Sequence, residues 1–329
     1  MKFEDLSKKY ANFYSPSYQI LVDGRDLKSL AEVISVTFED TLDGADRFSF
    51  TLGSIHNNLL EFLELGKEVE IKMGYLDKLT PMIVGEITSI ELNFSSNGDR
   101  LEISGYDLSY QFTQVRKHRS FENMRDSDVV ERIASEARHR LRTEIEPTEV
   151  VHPYIVQNGE TDYRFISMLA ERNNFEFFVR ERTLYFRRPR KEGDMIALEY
   201  GKTLLSFRAE INMANQVSEV IVKAWNPKTK QEIVGRARRE GSGRVEQITD
   251  KPVFSQQEAD KLARSILDKL SEGLVRGNAE CIGIPEMRAG TIVELKGLGR
   301  FDGKYYVERT SHTISSSGYT TTFNVRGIV

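Results

Sequence analysis

The sequence predicts a mainly β protein with an α/β insertion, in which two similar small β-barrel domains flank a compact α/β unit. Three observations carry that prediction. Two stretches read as copies of one module, from Gly66 to Gly105 and from Gly290 to Gly327, and their lengths differ by only two residues. Most of the chain outside its middle alternates apolar and polar residues with the period of two that half-buried strands require. Between about residues 113 and 190 the alternation gives way to helical spacing.

Taken in order, Ser17–Val22 reads as a strand leading to a turn at Asp23-Gly24, and Val33–Phe38 as the next strand. The loop Asp40–Asp46 leads into Arg47–Leu52, which puts Phe48, Phe50 and Leu52 on one face. Leu59, Leu60 and Leu63 recur at helical spacing and predict a short helix. The first copy then runs through Gly66–Gly74, Val84–Leu92, a turn at Asn97-Gly98, and Leu101–Ile103 closed by Gly105. Short strands punctuated by turns build barrels or sandwiches, and residues 1–112 form the first expected domain.

Beyond Gly105, Val129, Val130, Ile133, Ala134, Ala137 and Leu141 share one face of a helix predicted from Asp128 to Leu141. Asp126, Ser127 and Asp128 sit at its positive end. A second helix spans Thr161–Asn173, with Thr161 as N-cap, an apolar stripe of Phe165, Ile166, Met168 and Leu169, and Asn173-Asn174 suited to a left-handed end. Strands Phe175–Val179 and Thr183–Phe186 follow, which completes an α/β domain over 113–190.

Past the basic linker Arg187–Lys191, strands are expected at Leu204–Ile211, Val217–Ala224 and Glu232–Ala237. Ser255 and Glu258 form a capping box for one long helix, about 255–270, with Leu262, Ile266, Leu267 and Leu270 inward. The second copy closes the expected domain 191–329 with Gly290–Gly297, Tyr306–Ile314, a turn at Ser317-Gly318, and Thr322–Val325 ending at Gly327.

At 329 residues, with 39% hydrophobic and 29% charged residues, the chain holds enough apolar sequence for two or three cores. A formal charge of -4 argues against gripping a phosphate backbone, so no sequence-specific nucleic-acid binding is expected. The N-terminus lacks the apolar run of a signal peptide and no window is long enough to cross a bilayer. Synthesis in the cytoplasm without membrane insertion is expected. The single Cys281 lies in an alternating apolar run and reads as a buried hydrophobe.

Residues with catalytic potential form no motif. His56, His118, His139, His152 and His312 are scattered without metal-ligand spacing, and His139, between Arg138 and Arg140, reads as a solvated surface residue. There is no GxSxG, and Gly241-Ser-Gly243 and Gly297-Leu-Gly299 lack the ending of a phosphate loop and read as turns. Glu68 and Glu86 can be nominated as a glycosidase pair, but spacing alone selects none. No catalytic, cofactor-binding or metal-binding residue is expected, and no enzyme. The basic stretches Val115–Ser120 and Arg187–Lys191 read as solvated linkers or contacts to acidic neighbours.

The segment Val156–Phe177 carries Gln157, Thr161, Asp162, Phe165, Leu169, Ala170, Phe175 and Phe177 in an order that resembles the core signature of the phage late control D family. These are baseplate hub proteins of contractile phage tails, and they are similar to the hub part of type VI secretion spikes. Phe38–Asp40 with Phe48–Phe50, Gly85–Ser89, Ile103–Asp107 and Tyr319–Gly327 agree with the family pattern, so the resemblance covers nearly the whole chain. Asn174 stands where the family often has Gly, a change the turn tolerates because Asn accepts positive φ.

The resemblance implies tail-tube-like barrels and a homotrimer, whose two barrels per subunit place six similar barrels around a channel and convert a six-fold tube into a three-fold spike. Expected partners are further copies of the chain, a tail tube protein, and baseplate wedge or LysM-type baseplate components. The sequence stops at Val329 without the domain and needle of fused spikes, so a separate spike protein is also expected. The expected location is the baseplate of a phage tail or a phage-tail-like particle such as a tailocin. Strand edges are expected to carry the subunit contacts, with Thr320, Thr322 and Val325 close to the spike.

Two rival functions belong to other classes. A peptidoglycan-binding or peptidoglycan-hydrolysing tail component is motivated by the α/β segment at 150 to 186. A carbohydrate-binding β protein is discouraged by the single tryptophan, Trp225, which reads as a strand-end core residue.

Overall fold

The computed structural model describes residues 3–53, 57–96, 98–189, 195–211, 217–226, 230–240, 243–249, 253, 255–271 and 275–328. His56, Asn97 of the expected turn, Lys191 of the linker, and Gly241 and Ser242 lie outside them.

The first copy and its approach comprise α1 (Phe3–Lys9), β1 (Pro16–Val22), β2 (Arg25–Asp26), β3 (Glu32–Thr41), β4 (Arg47–Gly53), α2 (Asn57–Phe62), β5 (Glu68–Tyr75), β6 (Lys78–Asn93) and β7 (Arg100–Asp107). Alternation along β4 buries Phe48, Phe50 and Leu52 as expected. Asp23 and Gly24 both take positive φ, 46° and 77°, the backbone a two-residue primed turn requires between β1 and β2.

The middle unit runs through β8 (Arg116–Arg125), α3 (Asp126–Ser135), β9 (Arg142–Ile145), β10 (Val151–Thr161), α4 (Asp162–Asn173), β11 (Glu176–Arg180) and β12 (Thr183–Arg187). Next come β13 (Ile196–Glu199), β14 (Leu204–Ile211), β15 (Val217–Asn226), β16 (Gln231–Arg238), β17 (Arg244–Ile248) and α5 (Gln256–Ser271). The second copy ends the chain with β18 (Val275–Ile282), β19 (Ile292–Lys296), β20 (Gly303–Ser315) and β21 (Gly318–Gly327).

The strands of the N-terminal β region and of the second copy are continuous with one another. β20 pairs antiparallel with β3, with Arg309 opposite Thr41 and Ile314 opposite Val36. Strands of both copies therefore enter one 13-stranded sheet, ordered β14-β18-β21-β20-β3-β4-β7-β6-β5-β1-β2, with β19 branching from β20 and carrying β13. One apolar core packs against it, from Leu6, Phe48 and Phe50 to Phe323 and Val325.

Gly105 allows a close crossing in this sheet. A Cβ there would stand 1.9 Å from the carbonyl oxygen of Glu86 and 2.6 Å from the ring of Phe48. Gly105→Ala is expected to destabilise the protein by about 1–3 kcal/mol, the range for overpacking, read as a lower denaturant midpoint.

In the middle unit β8 pairs with β10, while β11, β12 and β9 form a second small sheet. Both helices pack on a core that includes Val129, Ile133, Phe165, Leu169, Phe177 and Phe186. α4 begins and ends as predicted, with Thr161 as N-cap and Asn174 left-handed at φ 56°. Met168 departs from its predicted place and is 46% exposed. It lies about 100° around the helix from Leu169, off the buried face. α3 stops at Ser135 instead of Leu141, because the chain turns into β9, which pairs in parallel with β12 from Arg142 onward. Ala137 and Leu141 still reach the core from the connecting loop.

β16, β15 and β17 form a separate three-stranded sheet. Val220 and Val222 pack with Leu262 and Leu267 of α5 in a core of their own. Ser255 caps α5, its Oγ accepting from the Glu258 N–H at 3.2 Å. Trp225 is the penultimate residue of β15 but is 63% exposed, against its predicted core position. The alternation that turns Val220 and Val222 toward α5 turns Trp225 to the opposite face. Among the described residues no helix is long and apolar enough to cross a membrane.

Candidate assembly interface

The eight signature residues all lie in the middle unit and brace its interior. Gln157 on β10 is buried; its amide donates to Asp162 Oδ1 and to the Glu160 carbonyl, both at 3.0 Å, and its Oε1 accepts from Arg119 Nε at 2.7 Å. Asp162 also accepts from Lys117 Nζ and Arg119 Nη2, each at 2.6 Å. The basic stretch read as a solvated linker or a contact to acidic neighbours therefore opens strand β8, and two of its cations are paired with acids inside the unit. Thr161 Oγ1 accepts from the Arg164 N–H at 3.3 Å. Phe165 stacks on Phe121, Phe175 packs on Phe186, and Phe177 on Tyr163. Leu169 and Ala170 fill the core beside them.

Asp126, the first residue of α3, joins the two helices. It accepts from Arg172 Nε at 2.7 Å, from Arg172 Nη2, and from Asn173 Nδ2 at 2.6 Å, and lies 3.6 Å from His152 Nε2. Burial opposes its charge, but His152, Arg172 and Asn173 outweigh burial and hold its pKa down to about 2. A depressed carboxylate pKa contributes stability that is present above the ordinary value of 3.8 and lost as pH falls through about 2. Asp126→Asn is expected to flatten the fall in thermal midpoint across that window.

The middle unit is tied to the large sheet by charge. Glu68 and Glu86 are register partners on β5 and β6. Glu68 accepts from Arg182 Nη2 at 2.6 Å, and Glu86 meets Arg138 Nη2 and lies 2.7 Å from His139 Nε2. The pair that spacing could nominate as glycosidase carboxylates serves as two ion-pair anchors. His139, predicted as solvated, is half-buried there, and its N–H donates to Gln111 Oε1 at 2.9 Å.

A buried ion pair joins β3 to the segment that precedes β19. Arg288, which precedes β19, donates through Nε to Asp40 of β3, and its Nη2 lies 3.9 Å from Asp46. The N–H of Ala289 donates to Asp40 Oδ2 at 3.2 Å, and Arg180 of β11 donates to the Ala289 carbonyl at 3.4 Å. Sequence reasoning missed this cluster: its members are 248 residues apart, and Asp40 and Asp46 read locally as loop residues. Their one signal was an acid at the end of a strand that is otherwise apolar on that face.

The uncovered face of the large sheet carries a row of hydroxyl side chains. Thr320, Thr313, Thr37, Ser49, Ser104 and Ser89 stand opposite one another in successive strand pairs from β21 to β6. Thr322 shares this face and is exposed, whereas Val325 turns into the core at 1% exposure. The sheet has two incompletely paired ends. Among the described residues β14 pairs with β18 along its length and bridges Tyr200 at Leu204, and β1, paired throughout with β5, meets β2 only at Leu21 and Val22.

His312 and Cys281 are built into the core of the large sheet, whereas His118 is exposed. His312 Nε2 faces the Met287 carbonyl at 2.8 Å and must donate to it, which leaves Nδ1 to accept from Tyr319 or Thr321. Burial and the charge of Arg288 hold its pKa down to about 3, so it is neutral. Burial pushes the Cys281 thiol up, away from the thiolate. Among the described residues no group of three or more His, Cys, Asp or Glu could hold a metal ion.

The family model described as the Alg8 N-terminal domain matches residues 14–250 and 246–316. No curated protein matches the sequence. Among solved structures, the 43 kDa tail protein of prophage MuSo2 from Shewanella oneidensis superposes with a TM-score of 0.77 at 14% identity, over 94% of this chain and 98% of that one. The tail protein from Neisseria meningitidis MC58 gives 0.75 at 15% identity, over 95% and 97%. An E. coli component of the type VI secretion system, described as structurally similar to T4 bacteriophage tail proteins gp27 and gp5, gives 0.65 at 14% identity, over 94% and 77%. At such identities the likeness is one of fold, and the fold is that of phage tail proteins.

Proposed function

The chain belongs to the family described as the Alg8 N-terminal domain, and from its tail-protein fold we propose that it is a non-enzymatic baseplate hub of a contractile tail or related injection apparatus. The observation that carries the proposal is the β20–β3 pairing, which joins the strands flanking both modules into a single sheet with an incompletely paired edge at each end. Head-to-tail joining of β14 to β1 in three chains closes a ring of six similar modules and removes edges that would otherwise invite aggregation. The late control D resemblance of Gln157 to Phe177 supports the same role.

In this proposal residues 1–112 and 191–329 form the ring, and 113–190 faces wedge or LysM-type baseplate components. The ring joins a tail tube protein to a separate spike protein, with Thr320 and Thr322 on the spike-proximal face and Val325 supporting that strand from inside. Affinity purification of the tagged chain from its producing cells is expected to recover a tube and a spike protein; recovery of neither contradicts the role. Purified cell walls should stay turbid, whereas clearing at catalytic concentrations moves the chain to the peptidoglycan-hydrolysing alternative.

A further inference from the structure

The loop between β3 and β4 touches all three parts of the molecule. Its Leu42 N–H donates to the Glu308 carbonyl of β20 at 3.2 Å, and the Asp46 carbonyl accepts from the Asp107 N–H at 2.9 Å. The backbone of Gly44 hydrogen-bonds the Tyr163 hydroxyl of α4. Beneath the loop lie Asp40, Asp46 and Asp107, exposed by 4%, 6% and 4%.

Acids outnumber cations there. Arg288 pairs with Asp40 and stands 3.9 Å from Asp46, while Asp46 Oδ1 accepts from the Thr41 N–H at 3.0 Å. Asp107 Oδ1 accepts from Ser109, from its N–H at 3.0 Å and its Oγ at 2.5 Å. Among the described residues no cation forms an ion pair with Asp107.

We propose that Asp46 and Asp107 form a proton-operated latch: protonated, they keep the β3–β4 loop seated against all three parts, and ionised, they release it. Every member belongs to one chain, so the latch operates in a monomer and in a ring alike. Burial, with the charge of Asp40 adding to it, pushes Asp107 up to about 7. Burial and the charges of Asp40 and Asp107 push Asp46 well above the carboxylate range, more than Arg288 offsets. Asp40 stays ionised in spite of burial because Arg288 and Arg180 face it.

The other facing groups keep their charge state near neutrality. Burial and the charges of Asp107, Asp46 and Asp43 push the Tyr163 hydroxyl up, and His312, beside Asp40, is already neutral. The folded values lie above the ordinary 3.8, so the latch contributes fully below 3.8, weakens as pH rises, and is lost as pH passes through about 7.

The test is limited proteolysis of the full chain at pH 6 and pH 8, with cuts between residues 42 and 46 mapped by mass spectrometry and rates divided by those of an unstructured peptide of the same sequence. Cleavage of the native protein is expected to rise about tenfold, the response of one proton released across a pKa near 7. Asp107→Asn is expected to abolish the rise, and Asp43→Asn, at the exposed tip, to retain it. Asp46→Asn replaces Asp107→Asn if the latter does not fold. Equal native rates at the two pH values overturn the latch, as does an Asp107→Asn protein that keeps the full response.

Discussion

Arg288→Met is expected to lower stability by about 3–5 kcal/mol, the cost of leaving a buried carboxylate without its partner, and to shift the denaturant midpoint accordingly. Asp40 is 4% exposed and receives the guanidinium directly, so it cannot hydrate without opening the sheet, and Arg180 faces it only at longer range. The substitution also removes a cation 4.7 Å from the ring centre of Phe38. The double variant Asp40→Asn with Arg288→Met removes both partners of the closest pair and is expected to regain most of the loss, because members of one buried pair are not additive. A double variant as weak as the single one would mean that shape, and not charge, joins β3 to the segment before β19 at this point.

Phe165→Ala is expected to cost a similar amount, about 3–5 kcal/mol for a buried Phe, but with a different distribution. Phe165 is 2% exposed and packs on Phe121 across the interface of α4 with β8. Its loss empties the middle unit while the core of the large sheet, which shares no residue with it, stays filled. Hydrogen exchange should therefore accelerate across β8 to β12 and much less in β3, β4, β20 and β21. Uniform acceleration across the chain would show that the middle unit has no stability of its own.

Much of this architecture was legible in the sequence because it is written in local patterns. Alternation located β4, and Thr161 with Asn174 marked both ends of α4. The eight signature residues do converge, but as scaffold, since Gln157 and Asp162 spend their hydrogen bonds on Arg119, Lys117 and each other. What escaped is non-local. The pairing of β20 with β3, the ion pair of Arg288 with Asp40, and the hydroxyl row from Thr320 to Ser89 depend on strand register, which no single strand specifies.

Trp225 and Met168 were misplaced for a simpler reason: residue type favoured burial, and the face on which each residue fell did not. The two closing glycines also turned out unequal. Gly105 sits against a backbone crossing, while the nearest atom to a Cβ at Gly327 would be 3.4 Å away. The duplication is therefore one of topology more than of detailed packing.

The central claim is that one chain with two joined modules closes into a three-membered ring through its free edges. The most direct measurement is the mass of the purified full chain by light scattering, without spike or tube protein and over a range of concentrations. The account predicts a trimer, three times the mass of one chain. A monomer that persists at high concentration would contradict it.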